Sequence, residues 1–99
     1  MKRKKANLSE LFGAVWCVLD MNVYKTSADI GDQLGVSGAT VRATIRLMRE
    51  SGLPIVSDLK YGYKKALTDE EIWLCIRQIE DRIAGLQDTV QTMKRMVRG

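Results

Sequence analysis

The sequence predicts a mainly α chain: three short helices, a two-stranded β-hairpin and one long terminal helix. Three observations carry this. Ser, Thr or Asn precedes each of the apolar-periodic stretches, as helix starts require. The single proline, Pro54, opens a short β-branched run that a second short run follows after a few polar residues. From Ile72 onward apolar residues recur at helical spacing, with nothing strong enough to stop them.

Each element has a local reason. The first helix is expected over residues 8–21, capped by Asn7 or Ser9, with Leu8, Leu11, Phe12, Val15, Trp16, Val18 and Leu19 as a broad apolar face. Thr26 or Ser27 caps a second, short helix to Leu34, and Asp29 suits its first turn. Gly35 can take the positive φ that ends it. Ser37 then caps a third helix over residues 38–50, with Val41, Ile45 and Met48 on one face. Residues 54–57 and 62–66 read as two strands joined by residues 58–61, although no Asn-Gly or Asp-Gly turn marks the hairpin. Thr68 and Glu71 form a capping box for the last helix, which is expected to run to about Arg98.

Composition narrows the function. The chain has 99 residues, a net charge of +4 and 45% hydrophobic residues, enough for one small core. The charge is uneven. Eleven Lys/Arg and six Asp/Glu fall in residues 1–65, giving +5, whereas five and six fall in residues 66–99, giving −1. An anionic partner is therefore expected on the N-terminal two-thirds. Cys17 and Cys75 lie in apolar helical stretches and read as buried residues in a reducing cytoplasm. Histidine is absent, and no phosphate loop, carboxylate pair, metal cluster or nucleophile–base pair is visible. No enzyme, cofactor, metal or small-molecule ligand is expected. The basic start Met1-Lys2-Arg3-Lys4-Lys5 precedes no long apolar run, so neither a signal peptide nor a membrane segment is expected.

Two short helices joined by a tight Gly turn are what a DNA-reading helix needs: the first braces, the second enters the groove. Ile30, Leu34, Val36, Val41 and Ile45 fall where such helices touch. The run Leu34-Gly35-Val36-Ser37, the step Gly52-Leu53-Pro54-Ile55 and the pair Gly62-Tyr63 together resemble the winged helix-turn-helix domains of bacterial repressors of the biotin-operon-repressor and DeoR-like kind. The resemblance covers residues 28–66, with the helix at 8–21 as the family's first. It departs at Gly31, where the family often has alanine and where glycine weakens the bracing helix, and at Ala66, near the usual apolar strand end. It implies a winged helix-turn-helix domain, placed over residues 7–67; the basic run at 1–6 reads as a flexible arm, and residues 68–99 as a dimerisation helix on the spacing below.

In that geometry Ser37, Gly38, Ala39, Thr40, Arg42, Ala43 and Arg46 face outward as the DNA-reading surface. Arg42 and Arg46 lie one turn apart and can bond guanine, Ser37 and Thr40 can meet phosphates, and the small residues allow close approach. The alternative is a solvated arginine face formed by Arg42, Arg46 and Arg49. Lys60 and Tyr61 at the wing tip, with Lys64 and Lys65 behind, and Lys2, Arg3, Lys4 and Lys5 of the arm are further candidates for phosphates or a minor groove. Edge-strand protection and a solubilising terminus are their alternatives.

In the last helix Ile72, Ile76, Ile79, Ile83, Leu86, Val90, Met93 and Val97 are separated by alternating steps of four and three, a coiled-coil seam. It spans about 38 Å at roughly 1.5 Å per residue, longer than the small domain can cover, so a second copy is expected against it. Branched a positions with Leu86 at d favour a parallel dimer; Ile at both in the first half leans toward more strands, and a trimer, a tetramer or an antiparallel pair is the alternative. A single helix folded back on its own domain is a further alternative, strongest near Trp73, Leu74 and Cys75, where the helix is apolar on several sides and is expected to pack on the winged domain. The sequence thus predicts a cytoplasmic, nucleoid-associated homodimer that binds double-stranded DNA and regulates transcription, as a repressor of bacterial or phage type. The alternatives are an accessory factor in replication, partition or recombination, and a protein-interaction module.

Overall fold

A computed structural model describes residues 8–97. The elements run α1 (Leu8–Val18), α2 (Ser27–Leu34), α3 (Gly38–Glu50), β1 (Ile55–Asp58), β2 (Gly62–Lys65) and α4 (Asp69–Met96). The expected fold class is the observed one. Asn7 lies outside the described residues, and Ser9 falls inside α1 rather than capping it. The first helix also stops three residues short of the expected end. The Asp20 carboxylate accepts the Asn22 and Val23 amides at 2.6 and 3.2 Å, which turns the chain out of the helix. The Lys25 ammonium then donates to the Val18 carbonyl, a cation at a helix C-terminus.

The helix-turn-helix is built as its sequence dictates. Thr26 caps α2 by accepting the Asp29 amide, and Ser37 caps α3 by accepting the Thr40 amide. Gly35 takes φ 70° between them. Gly31, read as a weakness of the bracing helix, has a packing role: a Cβ there would come within 2.5 Å of the Val36 carbonyl oxygen. Its lack of a side chain lets the turn close on α2, where the Val36 amide bonds the Gly31 carbonyl. Val41, Ile45 and Met48 of α3 are buried with Ile30 of α2, Val15 and Leu19 of α1 and Ile55 of β1. This is the core. Cys17 is exposed, not buried, whereas Cys75 is buried.

The hairpin pairs antiparallel, with Val56 opposite Lys64 and Asp58 opposite Gly62. Asp58 supplies the missing turn signal, because its carboxylate accepts the Lys60 and Tyr61 amides at 2.8 and 3.1 Å. Gly62 takes φ 103°, and a Cβ there would collide with the Lys25 backbone. That close approach is a third, one-residue strand: Lys25 and Tyr63 exchange both amide bonds at 2.8 Å.

The capping box of α4 is shifted by one residue. Thr68 accepts the Glu71 amide, but Glu71 reaches back to the Leu67 amide at 2.8 Å rather than to Thr68's own. Its other oxygen pairs with the buried Lys64 ammonium. Lys64 also donates to the Met21 carbonyl and lies over the Tyr24 ring. This ion pair ties β2 to the start of α4. The helix ends at Met96, with Val97 extended as its C-cap. Cys75 packs where α4 meets β1, 3.8 Å from the Ser57 hydroxyl, and Ile72 and Ile76 are half-buried. Trp73 and Leu74, expected to pack on the domain, are exposed instead. No helix among the described residues is long and apolar enough to cross a membrane.

The Lys64 hydrogen bond, followed by the Leu67 amide, holds the Glu71 carboxyl below its ordinary value of 4.5. A carboxylate whose pKa falls on folding adds stability above its unfolded pKa, and the contribution disappears as pH drops through the folded value. We therefore expect Glu71→Gln to lower the melting temperature at neutral pH, with variant and wild type converging in acid below 4.5. Thermal melts across that range check this.

Candidate nucleic-acid interface

The inward stripe of α3 fixes what its other side presents. Ser37, Ala39, Arg42, Ala43 and Arg46 are exposed, and Gly38 and Thr40 are half-exposed. These are the seven residues expected on the reading surface, and they share one continuous face. Ala39 and Ala43 leave space beside the two arginines, so a flat ligand can approach the helix closely. The Ser37 and Thr40 hydroxyls lie 2.9 Å apart, and the Ser37 oxygen is occupied by its cap bond.

The two arginines are held differently. Arg42 Nη1 donates to the Ser27 hydroxyl at 3.0 Å, which orients the guanidinium across the start of α2. Arg46 pairs with Glu50 at 3.6 Å, but both side chains are largely exposed. Such a pair is worth about 0.3–0.5 kcal/mol and yields readily to a better acceptor. Arg49 is not part of this face. Its Nε donates to the Ile55 carbonyl and its Nη2 to the Ser57 hydroxyl, both at 2.9 Å, and its guanidinium lies 5.8 Å from the Tyr63 ring centre. It clamps the reading helix to the wing. The sequence alone assigned it no such role, because its acceptors are a backbone carbonyl and a hydroxyl.

At the wing tip Lys60 and Tyr61 are exposed, with the ammonium 5.3 Å from the ring centre. Leu59 beside them is 81% exposed, an apolar tip with no periodic pattern around it to mark it in the sequence. Lys64 departs from expectation. Its ammonium is enclosed by Glu71, the Met21 carbonyl and Tyr24, so it is absent from the wing surface. Lys65 is drawn to the opposite end, 4.5 Å above the Trp16 ring. The arm cations Lys2, Arg3, Lys4 and Lys5 lie outside the described residues.

α3, the wing and α4 enclose an open cleft of about 570 Å³, into which Arg42, Arg49, Lys60 and Arg82 reach. Asp58 is the one acidic residue lining it. With four cations to one carboxylate, a concavity of net positive charge concentrates anions. Among the described residues no cluster of three or more His, Cys, Asp or Glu could hold a metal ion.

The two wing lysines separate surface charge from internal charge. Lys60→Ala is expected to weaken binding to any duplex and to reduce the slope of log K against log salt by about 0.9, one phosphate contact. Lys64→Ala is expected to keep the wild-type slope and to lower the melting temperature instead. Fluorescence titrations over a salt series, with melts of the same proteins, check both.

Residues 21–64 match the family model of an HTH domain, a span that takes in α2, α3, β1 and all but the last residue of β2. No curated protein and no solved structure matches the chain significantly. The chain thus carries a helix-turn-helix DNA-binding domain, which the β1–β2 hairpin completes in the winged form.

Proposed function

We propose that the chain is a sequence-specific transcriptional regulator of bacterial or phage type, a homodimer that represses by occupying its site. The observation that carries this is the outward face of α3, where two arginines one turn apart stand among small residues and are flanked by an exposed wing-tip cation. Arginine bonds guanine O6 and N7 with both arms of its fork, and each such contact discriminates by about 1–3 kcal/mol. Small neighbours bring that fork within reach of base edges.

The dimer rests on α4. Ile79, Ile83, Leu86, Val90 and Met93 are each between 41% and 60% exposed, in one row along a helix of 28 residues. Water is a poor solvent for such a row, and a second copy covers it in heptad register. Ile72 and Ile76 are half-buried against the domain, so the open seam begins about where the domain ends. A two-fold protein suits a palindromic site in the bacterial nucleoid, with one reading helix per half-site. Occupancy alone then blocks polymerase.

Selection of bound duplexes from a random library tests the reading. The wild type should recover a two-fold-symmetric sequence and sediment as a dimer. Arg42→Ala/Arg46→Ala should recover none while melting like the wild type. Equal enrichment by both proteins, or a monomer that still selects one undivided site, contradicts it.

A further inference from the structure

The basic surface continues beyond the winged domain onto α4. Gln78, Ile79 and Arg82 line the same cleft as Arg42 of α3 and Lys60 of the wing. Positions 78 and 82 are one turn apart, so a single face of α4 forms this wall. Three charged groups in the cleft are already hydrogen-bonded, Arg42 through one Nη to the Ser27 hydroxyl. Arg49 is bonded to the Ile55 carbonyl and the Ser57 hydroxyl, and an Asp58 oxygen accepts the Lys60 and Tyr61 amides. Arg42, Lys60 and Arg82 have no acidic partner, since the ion pairs among the described residues are Arg46–Glu50 and Lys64–Glu71. Three cations from three separate elements thus converge on one concavity.

What suits three cations without acidic partners along an open cleft is a chain of regularly spaced anions rather than a single small one. A DNA strand is such a chain, and the cleft runs between α3, whose outward face is read above as meeting the bases, and the wing. Arginine at position 82 matches a phosphate with two parallel N–H donors, a geometry that lysine lacks.

We propose that Arg82 contacts a backbone phosphate of the strand lying in the cleft, so that α4 supplies part of the DNA interface beside the seam that pairs the two copies. This rests on the DNA-binding reading of α3. Arg77, exposed on the same helix and absent from the cleft lining, provides a charge-matched comparison. Because Arg82 precedes Ile83 of the seam, oligomeric state belongs in the same experiment.

The full chain is titrated against the duplex recovered by selection and against a mixed-sequence duplex over a salt series, and each protein is also sedimented. Arg82→Ala should weaken both duplexes by a similar factor and flatten the log K against log salt slope by about 0.9. Arg82→Lys should recover most of that slope, Arg77→Ala should keep it, and all should sediment as the wild type does. A wild-type slope in Arg82→Ala overturns the inference, as does an equal loss in Arg77→Ala or a loss accompanied by altered sedimentation. Tighter binding by Arg82→Ala also overturns it, because α4 would then be an obstruction to the strand. Failure of the wild type to bind either duplex overturns the DNA reading itself and this inference with it; wild-type binding with an unchanged Arg82→Ala slope overturns this inference alone.

Discussion

The surface of this protein depends on one buried stripe. Val41, Ile45 and Met48 of α3 are fully enclosed with Ile30, so α3 cannot rotate without moving apolar side chains into water. Truncating one such residue costs about 2–5 kcal/mol. A rotation would expose several at once, a loss comparable to the whole stability of a domain this size. The opposite face, with Arg42 and Arg46, is therefore fixed in direction by residues that never approach a ligand. Thr44, buried beside the stripe, fits because its hydroxyl bonds the Thr40 carbonyl at 2.8 Å.

Around that stripe the basic residues divide into two populations. Lys25, Arg49, Lys64 and Lys65 work inside the fold: on a helix C-terminus, across the α3–wing junction, under the start of α4 and over Trp16. Arg42, Arg46, Lys60 and Arg82 are presented outward. The +5 excess of the first 65 residues thus overstates the charge offered to a partner. The internal cations still serve the interface, because Arg49 sets the wing against the reading helix and the Lys64–Glu71 pair sets α4 against the wing.

The sequence was most readable where a backbone need has a short-range chemical answer. Thr26, Ser37 and Thr68 cap as their spacing implied, Gly35 takes the left-handed conformation, and the inward stripe follows the 3.6-residue period. It was least readable where a partner is distant or unusual. Lys64 looked like a surface cation, although its place opposite Val56 put it on a buried face and Glu71 stood seven residues on. Asp58 built a turn that no Asn-Gly announced. Trp73 and Leu74 looked like packing residues, but Cys75, Ile72 and Ile76 hold α4 to the hairpin. Of the candidate site, the α3 face could be read from period alone. The cleft wall on α4 could not, because residues 42, 60 and 82 meet only in the folded chain.

If this fold binds DNA as proposed, the outward face of α3 and the wing tip meet the duplex. Amide chemical shifts of the labelled protein, followed as a short mixed-sequence duplex is added at low salt, test it most directly. Saturable shifts are expected at Ser37, Ala39, Arg42, Ala43 and Arg46 and at Leu59, Lys60 and Tyr61, with the buried core of α1 little changed. Shifts confined to the apolar row of α4, or none at all, would contradict it.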